Sequence, residues 1–545
     1  MTSESEPTAG GIENKNLRTL SEMFDAACMR YPDRPAFTSF NRTLTFSEAG
    51  RYVHRFSAFL LDEIKLNAQD RVALILPNGL PYVVAFYGAL RAGLTVVNVN
   101  PFATPREIQV QLDTTRVGAI VVLENFAYKL DDIVDRNKVQ GVVSVAAGDL
   151  LPIPTRVGID FLQRVVRDSI PPTKLDLRAF RTVLSHTPNL ERSRPSAGLD
   201  DVALLQYTGG TTGTPKCAML THRNLSANVE QIRGWLGEEF CSGPQTIVTP
   251  LPLFHVFALT ASLLTFVALG GHNVLVTDPR KLRALVKTLE HARPTALIGV
   301  NSLFDAMLRE RHIGSIDWSC MRLVIGGGAA IQAPVAQRWL AKTGTVIIEG
   351  YGLTEASPVV CANPVNAKGF SGSVGYPLPA TEISIRGDDS AAVAPGETGE
   401  VWVRGPQVMR GYWMNPDETA RVLSFEGWLR TGDMGYLASN QTLVLVDRIK
   451  DVIIVSGFKV FPSEVEAVAC ACPGVDNAAA VGIPDERTGQ AVKLSVVRSA
   501  GDVTADAVLK FCRANLSIYK VPRFIEFRDS LPTNQLGKTL RRALG

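Results

Sequence analysis

The sequence has no apolar run long enough to cross a bilayer. Its longest, FALTASLLTFVALG at 257–270, falls short of the roughly 20 residues a spanning helix needs and reads as a buried helix. Net charge is small, 56 Lys and Arg against 53 Asp and Glu, which argues against nucleic acid as a partner. The eight cysteines are scattered with no pair of Cys-x-x-Cys motifs, so no metal module is encoded. Cys470 and Cys472 read as helix-packing residues. No secretory leader is evident, and the expected setting is reduced and cytosolic. A Walker A loop is missing too: Pro215 precedes Lys216 and Cys217 follows it, where that motif needs Gly before the lysine and Ser or Thr after it.

What is present fits a globular enzyme. The 545 residues are too many for one ordinary core and predict two or more domains. Hydrophobic residues make up 46% and charged residues 20%. Residues 1–16, MTSESEPTAGGIENKN, read as a disordered tail. A helix is expected from Leu17 to Tyr31 and a strand at 44–46, with Ser47 and Glu48 opening the next helix. Short apolar runs at 71–77, 94–100, 119–124 and 139–145 alternate with helical segments, one of them opened by Thr104-Pro105. Strands apolar on both faces, alternating with helices, predict a parallel sheet covered on both sides, an α/β architecture.

Residues 151–195 are basic, with eight Lys or Arg (Arg164, Arg167, Arg178 and Arg181 among them) against four acidic residues. Phe161, Leu162, Val165, Val166 and Ile170 are interleaved. The segment is either an ordinary solvated face or a surface for anionic lipid, where each basic residue contributes about 1 kcal/mol.

The stretch 207–225, YTGGTTGTPKCAMLTHRNL, organises the chain. Gly209, Gly210 and Gly213 let the backbone approach a ligand, while Thr208, Thr211, Thr212 and Thr214 offer hydroxyls and Lys216 a charge. Such a loop can wrap phosphate oxygens. The plain alternative is a flexible linker. The stretch closely resembles the phosphate loop of adenylate-forming enzymes, the superfamily of acyl-CoA synthetases, firefly luciferase and peptide-synthetase adenylation domains.

Further motifs follow in the order that resemblance requires, across residues 17–545. In LPLFHVFAL, His255 is either a core histidine or, by resemblance, the residue closing the carboxylate side of the site. In LVIGGGAA the stretch Gly326 to Ala330, with Gly328 and Ala329, is expected against adenine. In VIIEGYGLTEASP, Gly350, Tyr351 and Gly352 carry the purine contact. There Thr354 is expected to reach the α-phosphate and Glu355 to offer oxygen to Mg²⁺. The resemblance makes Asp433 and Arg448 ribose contacts, Lys450 the hinge, and Ser456-Gly457-Phe458 the loop that passes pantetheine. Pro462, Ser463 and Glu464 open a helix in capping-box style. Lys538 becomes the catalytic lysine, in Leu-Gly-Lys where many relatives carry Ser-Gly-Lys.

The chain is most similar to the bacterial long-chain-fatty-acid–CoA ligases. The resemblance implies a large N-terminal domain of parallel-rich sheets flanked by helices, residues 17–447, and a small mobile C-terminal α/β domain, residues 448–545. It implies ATP- and Mg²⁺-dependent conversion of a fatty acid to acyl-AMP, then transfer to CoA. The alternatives are transfer to an acyl carrier protein, a medium-chain or aryl acid as substrate, and a non-catalytic acyl sensor on the same fold. Expected partners are fatty acid, ATP and CoA. Peripheral contact with an anionic inner-membrane face and a homodimer are further expectations.

Overall fold

The computed structural model describes residues 17–134, 138–161, 170–187, 196–208, 215–499, 503–534 and 538–545. Two large sheets lie either side of a shared core. The first centres on Arg71–Ile75, with Thr95–Asn98 and Ala119–Leu123 parallel to it on either side. Val202–Tyr207 extends it in parallel on one flank, and Gly141–Val145 and Leu177–Ala179 on the other. The second runs in parallel through Ile347–Gly352, Leu323–Gly326, Ala296–Gly299, Thr246–Thr249, His272–Leu275 and Pro35–Ser39, with antiparallel strands at each end.

Side-chain alternation explains why these strands are apolar throughout. Val72 and Leu74 point into the core shared by both sheets, whereas Ala73 and Ile75 point into a separate core on the outer face. In the second sheet Ile247 faces the shared core and Val248 its own outer core. Phe46, Phe86 and Leu225, from three long helices, fill the space between.

The apolar run at 257–270 is buried helix as expected, but six of its residues, Leu259–Leu264, form a π-helical turn. Two local expectations need correction. The helix Phe46–Asp62 is capped by Thr45 in a reciprocal box with Glu48, not by Ser47. The helix Pro462–Cys470 has no side-chain cap; Ser463 instead bonds back to Asp447 and to the Val446 carbonyl. Residues Cys217–Thr221, directly after Lys216, form a strand antiparallel to Val202–Tyr207. The helix begins after it, at His222.

A four-stranded antiparallel sheet, Glu382–Arg386, Gly399–Arg404, Leu429–Leu437 and Leu443–Arg448, leads to the C-terminal unit. That unit has a five-stranded, mostly antiparallel sheet built on Val475–Asp485 and Gly489–Arg498. Its core contains Cys472 and Cys512, with Cys470 packed against it. In the basic window, Arg164 and Arg167 lie outside the described residues, as do Leu162, Val165 and Val166. Arg181 pairs with Asp149 at 3.3 Å and Arg178 lies over the Phe59 ring. No helix among the described residues is long and apolar enough to cross a membrane.

Candidate active site

The carboxyl ends of the parallel strands in the second sheet open onto a mostly apolar cavity, the usual place for ligands in open α/β sheets. Ile232 and Trp235 form one wall, and His255, Phe257 and Ala261 another. Gly350, Tyr351, Gly352 and Thr354 line its mouth, with Gly328 beside them; Ala329 follows Gly328, half-buried. Two glycines are required by close approach. A Cβ on Gly327 would stand 2.7 Å from the Phe257 ring, and one on Gly352 would overlap the Pro358 carbonyl.

His255 sits at the start of this wall, where its Nδ1 accepts the Phe257 backbone N–H at 3.3 Å. Burial pushes the imidazole down to about 4, so it is neutral near pH 7 and the proton resides on Nε2. Thr354 begins a short 3₁₀ turn that also carries Glu355. One oxygen of Glu355 accepts the Tyr412 hydroxyl at 2.8 Å, and its carbonyl accepts the Met409 N–H.

Asp433 and Arg448 are direct neighbours across two antiparallel strands, with Arg448 Nε 2.9 Å from Asp433 Oδ1. The other oxygen of Asp433 accepts the Tyr351 hydroxyl at 2.6 Å. One buried carboxylate thus ties the purine-motif tyrosine to the last strand before the C-terminal unit.

Lys538 joins this cluster from the far end of the chain. Burial, then the nearby Arg448 guanidinium, draws its ammonium down to about 8, with Asp433 opposing and Lys450 adding further repulsion. The backbone of Lys538 exchanges reciprocal bonds with Asn534, and Thr533 pairs with Thr539 in a bridge. Lys450 lies in the 3₁₀ turn that follows Arg448. Arg541 secures the same region, reaching Glu466 at 2.8 Å, Asp451 at 3.2 Å and Asp447 at 3.7 Å.

Two predicted groups stand apart. Gly209, Gly210, Thr211, Thr212 and Gly213 lie outside the described residues. The base of their loop is closed by Thr208, whose N–H donates to the Lys216 carbonyl at 2.9 Å. The Lys216 ammonium meets Glu418 at 2.5 Å and lies over the Tyr412 ring. Ser456, Gly457 and Phe458 form an exposed turn, with Phe458 stacked on Tyr519 at 4.8 Å. They do not line the cavity.

Three residues here were not anticipated from sequence. Tyr412 and Glu418 hold Glu355 and Lys216, and both lie in GYWMNPDET, which carries no isolated chemical signal. Glu349, immediately before the Gly350-Tyr351-Gly352 run, is a buried carboxyl that desolvation raises to about 7, against hydrogen bonds from Ser371 and Gly372.

Among the described residues, no three His, Cys, Asp or Glu side chains are grouped to hold a metal ion. A single carboxylate such as Glu355 fits Mg²⁺ that arrives with nucleotide phosphates, because that ion keeps waters and phosphate oxygens as its other ligands.

The chain matches known proteins over nearly its whole length. The family described as "AMP-binding enzyme" matches residues 24–413, and "AMP-binding enzyme C-terminal domain" matches 464–538. The chain is 44% identical over 534 residues to a long-chain-fatty-acid–CoA ligase of Salmonella typhimurium, covering 98% of this chain and 95% of that one. It is 34% identical over 530 residues to a protein of the same name from Bacillus subtilis, covering 97% and 94%. Among solved structures, an ATP-bound RpMatB-BxBclM chimera superposes with a TM-score of 0.82 at 25% identity, covering 96% and 98%. An anthranilate CoA ligase with bound anthranoyl-AMP superposes at 0.84 with 22% identity, covering 97% and 96%, a likeness of fold. The chain therefore belongs to the AMP-binding, adenylate-forming enzyme family.

Proposed function

We propose that this enzyme is an AMP-forming fatty-acid–CoA ligase: it joins a fatty acid, long-chain by its similarity to the Salmonella and Bacillus ligases, to AMP and then to CoA. The observation that carries the reading is a half-buried cation, Lys538, beside the Asp433–Arg448 pair, together with an apolar cavity ending at neutral His255. Ligands that need both features are amphiphilic acids activated by a nucleotide.

A carboxylate is a poor acyl donor because its leaving group is oxide. Attack by its oxygen on the α-phosphorus of ATP expels pyrophosphate and leaves a mixed anhydride whose leaving group, AMP, is good. The displacement builds negative charge on phosphoryl oxygens, so catalysis is chiefly positioning and electrostatic stabilisation. In this reading Lys538 bridges the carboxylate and the α-phosphate, and Thr354 donates to the same phosphate. Asp433 and Arg448 hold the ribose, Tyr351 and the Gly328–Ala329 edge hold adenine, and the 208–216 loop holds the outer phosphates. Glu355 would hold Mg²⁺, which supplies charge neutralisation at the phosphates. His255, lacking charge, shapes the carboxylate end without repelling or trapping a proton.

The second half-reaction needs the thiol of CoA where Lys538 now sits. We take residues 448–545 as a unit that turns about Lys450, withdrawing Lys538 and presenting Ser456, Gly457 and Phe458. Pyrophosphate release measured over acids from butyrate to stearate, with CoA and with carrier protein as acceptors, tests the assignment. Release that depends on carrier protein alone overturns CoA as the acceptor, and a benzoate preference overturns the fatty acid.

A second reading concerns location. Ile153, Val157 and Phe161 recur every four residues on the helix Ile153–Phe161 and are 67%, 56% and 58% exposed. An apolar stripe beside Arg156 suits an interfacial helix at an anionic membrane surface. Replacing all three by Ser should weaken sedimentation with phosphatidylglycerol vesicles; unchanged binding returns the segment to an ordinary solvated face.

A further inference from the structure

A second cleft, of ≈ 570 Å³, shares no residue with the cavity at His255. It runs between the helices Leu20–Arg30 and Phe46–Asp62. Ser47, Gly50, Arg51, His54 and Arg55 recur at three- and four-residue steps and so share one face of the second helix. Asp25, Cys28 and Met29 line it from the first helix, and Arg91 from the end of the helix Leu80–Arg91. Gly50 lets the two helices approach, since a Cβ there would come within 3.3 Å of Cys28 Sγ.

The charges in this cleft do not balance. Arg91 is taken by the Asp25 carboxylate, which contacts it with both oxygens. Arg51 gives one N–H to Ser47 Oγ at 3.1 Å, and Arg55 gives one to the Leu184 carbonyl at 3.2 Å. Among the described residues neither has a carboxylate partner within the lining, and both are exposed. The nearest acid on the same helix, Glu48, is held by Arg42 at 2.8 Å. Arg91 Nε is buried with no hydrogen-bond acceptor among the described residues. That atom is closed off from the cleft, so the exposed guanidinium groups of Arg51 and Arg55 are the ones a ligand reaches.

We propose that this cleft is a binding site for a phosphate ester. Guanidinium groups match phosphate oxygens in planar, paired hydrogen bonds, and two of them on one helix face can grip a single phosphate from one side. Cys28, Met29 and Pro32 offer apolar surface to the carbon side of the ester. The site has a route to the catalytic wall, because the helix Leu20–Arg30 packs against Thr265–Ala268, the continuation of the segment that starts at His255. The phosphate can come from a soluble ester or from a phospholipid headgroup, and the two arms of the test separate these sources.

The test uses the full chain with its catalytic cleft filled by a non-hydrolysable acyl-adenylate analogue. Adenosine 3′,5′-bisphosphate is titrated by calorimetry, and phosphatidylglycerol vesicles are titrated by sedimentation against phosphatidylcholine controls. Binding of one probe or both should weaken by roughly ten-fold or more in Arg51→Gln/Arg55→Gln, the expected loss of charged hydrogen bonds. Turnover of soluble acids should be retained. Arg51→Glu, which alters only an exposed side chain, should weaken the same probe, so the result does not depend on the Arg55 tether to Leu184. Loss confined to vesicles makes the ligand a lipid, and loss confined to the bisphosphate makes it soluble. Equal binding of both probes by wild type and variants, or binding of neither by wild type, overturns the site.

Discussion

Two loops of the C-terminal unit occupy opposite circumstances. Lys538 is drawn into a cluster with Asp433, Arg448 and Lys450, where burial and then the Arg448 charge lower the proton affinity of its ammonium. Ser456, Gly457 and Phe458 belong to the same unit but sit at an exposed turn, with Phe458 leaning on its own neighbour Tyr519. A rigid unit offers one face to a cleft at a time. Under the proposed reading the contrast assigns the two loops to different steps, with Lys538 placed for adenylation.

The largest effect should come from Lys538→Ala, which removes one preorganised charge. Acyl-adenylate formation should fall by roughly 10²–10³, while thioester formation from supplied acyl-AMP is spared. Pre-steady-state assay of each half-reaction checks it, and equal losses would collapse the distinction between the loops. Gly457→Val is the mirror experiment. Gly457 has φ 84°, a left-handed conformation that a β-branched residue resists, so the turn should be displaced. Thioester formation should slow by up to roughly 10² and acyl-AMP should accumulate.

A pH profile sharpens the comparison further. The ammonium form of Lys538 predominates below its pKa of about 8 and is lost above it. Adenylation should therefore decline as pH rises through 8, whereas thioester formation should show no matching step. Lys538→Arg, which keeps its charge, should abolish that decline, and a persisting inflection would assign it to another group. The smallest effect is expected from Arg541→Gln, which loosens the contacts with Glu466, Asp451 and Asp447 beside Lys450, the proposed hinge. It should destabilise the protein by about 1–3 kcal/mol and reduce adenylation more than thioester formation. Thermal unfolding and the same paired assays would show it.

The sequence was most legible where chemistry needs unusual residues close together. The runs around Thr208, Gly350–Glu355 and Lys538 stand out because Gly, Thr and Pro cluster there without packing side chains. Parallel strands were legible because burial on both faces removes polar residues from them. What escaped were partners assembled by folding: Tyr412 finds Glu355 across 57 positions, and Tyr351 finds Asp433 across 82. No local pattern encodes such pairs. The misplaced cap at Ser47 is a different failure. The Thr45-x-x-Glu48 spacing was present, but Ser47 beside Glu48 drew attention to the wrong hydroxyl.

The Asp433 carboxylate has a consequence in lone pairs. An ionised carboxylate offers about four acceptor positions. The Tyr351 hydroxyl uses one and Arg448 Nε another, on different oxygens. One position is left on each oxygen, and the proposed reading gives these to the two adjacent hydroxyls of the ribose. Under the proposed reading, a nucleotide lacking its 2′-hydroxyl leaves one of these positions dry in a carboxylate only 5% exposed. The loss of a hydrogen bond to a charged group is worth about 1.5–3 kcal/mol, so 2′-deoxy-ATP should be a roughly ten- to hundred-fold poorer substrate than ATP. On that reading Tyr351 and Arg448, by the acceptor positions they occupy on Asp433, set which sugar the site accepts.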